Sequence, residues 1–184
     1  MPKIIVTEDQ WIQAGIECFA QGGVEGLVIE KMSAALGCSK SSFYWYFDNR
    51  NEFIKRIVEK WVEQTTNQVI LDTSKQETVD EQIINLLVQM FSVTRKGDFL
   101  FYLRKLSNHE SAYCSMLDNV EQVRMEYAQG LFCKAGLPTE IANQKAWLLY
   151  HYFLGWYERH KQDHFTEEEV HLHVDMLRKN LIGI

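Results

Sequence analysis

Val28-Ile29-Glu30-Lys31-Met32-Ser33-Ala34-Ala35-Leu36-Gly37-Cys38-Ser39-Lys40-Ser41-Ser42-Phe43-Tyr44-Trp45-Tyr46-Phe47 is the stretch on which the fold of this chain turns. It reads as two short helices joined by a tight turn at Gly37-Cys38, which is a helix-turn-helix. Such a unit needs a small residue where its helices cross, a glycine to reverse the chain and apolar residues to fix the angle of the second helix. Ser33, Gly37 and the set Met32, Leu36, Cys38, Phe43 and Tyr46 supply these. On the second helix, Phe43, Tyr46 and Phe47 share one face at i, i+3, i+4 and should pack inward. That turns Lys40, Ser41, Tyr44 and Trp45 outward. Ser39 is placed to cap the helix and aim its free N–H groups at a phosphate, and Lys40, Ser41 and Ser42 are near enough to its start to reach base edges in a major groove.

Outward from this stretch the pattern stays helical. Trp11, Ala14, Gly15, Cys18 and Phe19 follow the spacing of a helix buried on one side, with a capping box at Thr7 and Gln10 and an end at Gly22-Gly23. Thr78 with Glu81 and Thr166 with Glu169 repeat the box, and Asn49 with Glu52 is a looser version. Helices are predicted at 7–21, 28–36, 39–47, 49–72, 78–95, 98–108, 111–135, 139–161 and 166–181, broken at Lys96-Gly97 and Gly136-Leu137-Pro138. The fold class is all-α: an N-terminal three-helix domain carrying the helix-turn-helix, residues 1–48, then a larger helical domain, residues 49–184.

Net charge is −6, with 7 Lys/Arg against 8 Asp/Glu in residues 1–60 and 12 against 17 in the rest. A chain so acidic does not coat nucleic acid, so any DNA contact rests on a few placed groups. No apolar run is long enough to span a bilayer and the first residues do not form a signal peptide, which predicts a cytoplasmic protein with no membrane partner. The widely spaced Cys18, Cys38, Cys114 and Cys133 predict reduced thiols. The six histidines lack metal-ligand spacing. With no nucleophile motif or phosphate-binding glycine loop, neither an enzyme nor a metal or other cofactor is expected.

Residues 7 to about 60 resemble the tetracycline-repressor (TetR) family of regulators. The resemblance is carried by Ala14-x4-Phe19-Ala20-x-Gly22-Gly23, Met32 to Lys40, Phe43-Tyr44-x-Tyr46-Phe47 and Asn49-Arg50. It implies that Tyr44 and Arg50 contact phosphates, Lys40 opens the recognition helix, and two subunits read a palindromic operator on double-stranded DNA. Three positions depart from the family pattern: Val28 stands where a Thr cap is usual, Trp45 adds an exposed aromatic, and the N-terminal arm offers only Lys3. The DNA-binding set is therefore Ser39, Lys40, Ser41, Ser42, Tyr44, Trp45 and Arg50.

The stretch from Met90 to Tyr127 is rich in aromatic residues and suits an apolar pocket between helices. Phe99, Tyr102, His109, Tyr113, Trp147 and His151 are the expected ligand-binding residues. Helices 139–161 and 166–181 present more apolar surface than one neighbour covers, and in similar proteins they pair with a second copy. Tyr150, Leu154, Tyr157, Val174, Leu177 and Leu181 are expected at that homodimer interface. The function expected is a ligand-responsive, sequence-specific repressor released from its operator by a small hydrophobic or aromatic molecule. The alternative is an all-helical ligand-binding protein or enzyme without DNA binding.

Overall fold

The structure, a computed structural model, describes residues 6–92, 98–160 and 163–184. Lys3 and the Lys96-Gly97 break lie outside them. Among the described residues every regular element is helical: α1 (Glu8–Gly26), α2 (Ile29–Ala35), a 3-10 helix (Lys40–Trp45), α3 (Arg50–Val62), α4 (Gln68–Ser74), α5 (Val79–Phe91), α6 (Phe99–Ser107), α7 (Ser111–Lys134), α8 (Thr139–His160) and α9 (Glu167–Leu177). None of these helices is long and apolar enough to cross a membrane.

The starts follow local chemistry. Thr7, Thr78 and Thr166 each accept the N3 backbone N–H, and the N3 side chain of Gln10, Glu81 or Glu169 accepts the cap N–H in return. Asn49 caps α3 by accepting from Glu52 N at 3.0 Å. Three expectations need correction. First, α1 does not stop at Gly22-Gly23: Gly23 takes φ 59°, ψ −148°, kinking the helix, which then runs to Gly26. The Tyr102 ring covers Gly23 so closely that a Cβ there would sit 2.6 Å from it. Second, the span 49–72 is not one α-helix, because a wider π turn over Glu63–Asn67 separates α3 from α4. Third, the segment 39–47 winds as a six-residue 3-10 helix instead of an α-helix.

Two compact units result: residues 1–63 with 96–117, and residues 64–95 with 118–184. In the first, α1 packs on α3 and α6. Gly15 lets α1 and α3 approach, since a Cβ there would lie 2.5 Å from the Ile57 side chain. Phe99 fills the space between Phe19 and Trp61, stacked on the indole at 4.6 Å. At one end of α1, the rings of Trp11, Phe47 and Phe53 surround Phe43 at 5.0 to 5.4 Å. The second unit is built on Ile83, Leu87, Phe91, Phe132, Leu149 and Val174, contributed by α5, α7, α8 and α9.

Because Phe43 is wholly buried among three rings, Phe43→Ala should cost about 3–5 kcal/mol, combining lost burial with the cavity left behind. Urea unfolding measures this. An unchanged midpoint would show that the 3-10 helix is held by something other than its aromatic anchor.

Candidate nucleic-acid interface and apolar cavity

The turn between α2 and the 3-10 helix is made by Gly37 at φ 69°, a backbone state that L side chains rarely adopt. Cys38 N–H donates to the Ser33 carbonyl at 3.0 Å, and the Ser33 hydroxyl donates to the Glu30 carbonyl, so the small residue at the crossing is also a hydrogen-bonded one. Phe43 and Phe47 point into the core, and the Tyr46 hydroxyl donates to the Val6 carbonyl at 3.0 Å. Tyr44 and Trp45 are left outward, 57% and 85% exposed.

The polar residues of this face divide into two groups. Ser39 does not cap with its side chain: its hydroxyl lies 2.7 Å from that of Ser41, and the turn is closed instead by Ser42 N–H donating to the Ser39 carbonyl. The Ser42 hydroxyl accepts from the buried Trp11 indole N–H at 3.3 Å, which draws it toward the core. Lys40 is exposed but ion-paired with Glu30 of α2. Their hydrogen bond holds the Glu30 carboxyl below its ordinary range and the Lys40 ammonium above its own. Arg50, at the first position of α3, donates to the Val24 carbonyl near the end of α1. Lys40, Tyr44 and Arg50 line one shallow depression together with Glu25, Val28 and Glu30.

The second unit holds a cavity of about 70 Å³. Its wall is mostly apolar, with Leu86, Met90, Leu149 and Phe153 prominent. Arg124 brings the one charge among the described lining residues. Its Nε donates to the Thr66 hydroxyl at 2.9 Å and its Nη2 to the Thr65 hydroxyl at 3.1 Å. Beside this, Gln89 is held by Asn85 and Thr73.

Residues 12–57 match the sequence profile of the bacterial regulatory proteins, tetR family. Over those residues the chain is similar to that family. It is 20% identical over 140 residues to the HTH-type transcriptional regulator TtgR of Pseudomonas putida, a match covering 74% of this chain and 65% of TtgR, just under two thirds of that relative. A transcriptional regulator from Rhodococcus sp. Rha1 has a similar fold, with TM-score 0.76 at 11% identity over 97% of this chain and 99% of that one. AibR, solved with isovaleryl coenzyme A and operator DNA, gives 0.67 at 16% identity over 95% and 97%.

The six residues expected to bind ligand do not line the cavity. Phe99 is core between Phe19 and Trp61. Tyr102 covers Gly23 and donates to the Gln21 carbonyl at 3.1 Å. Tyr113 is buried, His109 is exposed, and Trp147 and His151 stack on each other at 4.0 Å on the outer side of α8. The cavity residues Thr65, Thr66, Gln89 and Arg124 went unnoticed in sequence. The only local signal was a pair of β-branched threonines in the middle of a long helix, where propensity is poor. Cys114 is exposed, and the other three cysteines are partly buried.

A separate cluster joins α5, α8 and α9. His173 packs on Phe91 at 4.8 Å and Trp156 at 5.4 Å, and its Nε2 lies 2.8 Å from the Tyr152 hydroxyl. Burial, and secondarily His160, push the His173 pKa below its ordinary value. His160 itself pairs with Asp163, and the Glu169 carboxylate also borders the cluster. The unfolded chain takes up a proton near pH 6.5, one that folded His173 resists. Stability should therefore decline as pH falls from about 6.5 toward the depressed folded value, and His173→Gln should flatten that slope. Urea midpoints across the acid range check this; equal slopes would assign the proton to another group.

Proposed function

We propose that the protein is a homodimeric, sequence-specific repressor that leaves a palindromic operator when a small molecule occupies the cavity. Residues 1–48 read DNA, and residues 49–184 bind the effector and the second subunit. The observation that carries this reading is the division of the 3-10 helix: Phe43 and Phe47 are wholly buried while Tyr44 and Trp45 beside them stand in solvent. Two large aromatic residues exposed beside a lysine and an arginine suit a polyanionic groove better than a free surface. Tyr44 and Arg50 contact phosphates, Lys40 and Ser41 reach bases, Trp45 packs along the groove, and Ser39 and Ser42 hold the backbone that presents them.

The effector role is supported by the cavity and by AibR, a similar fold captured with both isovaleryl coenzyme A and operator DNA. Release requires that the ligand bind the DNA-free arrangement more tightly than the DNA-competent one. For the dimer, we place the contact surface on the apolar residues that the subunit itself leaves uncovered. Val174 and Leu177 are interior, Tyr150 and Tyr157 are buried, and Leu154 and Leu181 are partly covered. The outer faces of α8 and α9 instead expose Trp147, Leu148, Leu172 and Met176. Gly155 has open space above it on the same helix.

Two measurements test this. Tyr44→Phe and Arg50→Ala should weaken binding to operator and to random duplex by similar factors, and Arg50→Ala should flatten the dependence of log affinity on log salt by about one unit. The operator is first obtained by selection from random duplex. A changed base preference at preserved affinity would refute the phosphate roles.

Sedimentation addresses assembly: wild type should be a dimer at micromolar concentration, and Leu148→Lys or Leu172→Glu should yield folded monomers. A wild type that stays monomeric both free and on DNA would end the dimer proposal.

A further inference from the structure

Glu30 places a carboxylate on the face proposed to meet DNA. It is the second residue of α2, is exposed, and lines the same shallow depression as Lys40, Tyr44 and Arg50. Its Oε1 accepts from the Lys40 ammonium across the turn of the helix-turn-helix. Both side chains stand largely in solvent, so their attraction is screened and adds little to stability. The hydrogen bond to Lys40 holds the carboxyl below its ordinary range, so at neutral pH Glu30 is ionised and only accepts. An ammonium has three donor hydrogens and a carboxylate about four lone-pair sites, so one bond between them leaves both able to make more. The pair therefore offers a donor and an acceptor side by side, a hydrogen bond or roughly 3 Å apart. It does so where the 3-10 helix begins, since Lys40 is that helix's first residue.

We propose that Lys40 and Glu30 act together as one reader of a G·C base pair, the ammonium donating to guanine O6 and N7 and the carboxylate accepting from cytosine N4. The inference rests on the 3-10 helix being a DNA reader and adds which base pair its first residue selects. Residues near the start of a recognition helix are the ones that reach base edges. In the major groove a G·C pair presents two adjacent acceptors on guanine and an amino donor on cytosine. Guanine O6 and cytosine N4 are themselves joined by a base-pairing hydrogen bond, so their spacing matches that of the ion pair. All three groups of the edge are then satisfied. An A·T pair sets its amino donor between two separated acceptors and adds a methyl, so the ammonium meets one acceptor at a time. A phosphate satisfies the ammonium but repels the carboxylate, so the pair also separates base edge from backbone.

The test compares wild type, Glu30→Ala, Lys40→Met and the double variant in binding-site selection from random duplex. Titrations of the selected operator with one base pair changed at a time follow, and a thermal melt checks that each variant folds. Wild type should select a G·C pair at one position of each half-site, at a cost of about tenfold when that pair becomes A·T. Each single variant should lose this discrimination at the same base pair. The double variant should lose no more than either, because the two residues act as a unit. Replacing the guanine by 7-deazaguanine, which lacks the N7 acceptor, should weaken wild type and leave Lys40→Met unaffected. If Glu30→Ala bound operator and random duplex more tightly by one common factor and kept every base preference, Glu30 would be a counter-ion only and the proposal would fall. Preferences altered at different base pairs, or in neither variant, would overturn it as well and leave the regulator reading standing. A wild type that binds no duplex would overturn both.

Discussion

The burial of Phe43 against Trp11, Phe47 and Phe53 is the contact on which the nucleic-acid face depends. A six-residue 3-10 helix has poor hydrogen-bond geometry and no prospect of forming alone in water. Its shape is set by the rings beneath it, and each such ring pair adds about 0.5–1.5 kcal/mol beyond area burial. The Trp11 indole extends the constraint by holding the Ser42 hydroxyl. With Phe43, Phe47 and Ser42 committed inward, Tyr44 and Trp45 have no direction but outward. The surface available to DNA is thus a by-product of core packing.

Local chemistry was legible in the sequence and non-local chemistry was not. The Thr7, Thr78 and Thr166 capping boxes involve residues three apart, so spacing alone identifies them. Gly37 was legible for the same reason: its positive φ is a property of one residue in one turn. The inward placement of Phe43 and Phe47 followed from period. The failures each needed a distant partner. Gly23 looked like a helix end because nothing nearby says that Tyr102 lies over it, and α1 resumes once the kink has made room for that ring. The 3-10 winding of Lys40–Trp45 answers to Trp11 and Phe53, which period cannot reveal.

The cavity lining was not legible for a related reason. An aromatic-rich segment advertises burial, but aromatic residues bury most readily in a filled core, as Phe99 does between Phe19 and Trp61. The cavity instead lies beside Thr65, Thr66 and Arg124. Arg124 stands 59 and 58 positions from the two threonines, and they meet where the π turn widens the backbone. The expected interface meets the same limit: Val174 and Leu177 share the helical stripe that the subunit buries for itself, and Trp147, Leu148, Leu172 and Met176 are the large apolar residues of these two helices left exposed.

The pairing of Lys40 with Glu30 has a consequence for how such a molecule searches a genome. Residues 1–60 carry no net positive charge, and Glu30 neutralises one of their few exposed cations. Association with arbitrary DNA is driven by counterions released for each phosphate neutralised, and it falls steeply with the number of cations engaged. On the proposed function, a face with so few of them would release few ions, so the protein would dwell briefly on random sequence and travel mostly through solution between encounters. Occupancy of the proposed operator would then depend less on one-dimensional sliding and more on the copy number of the protein in the cell.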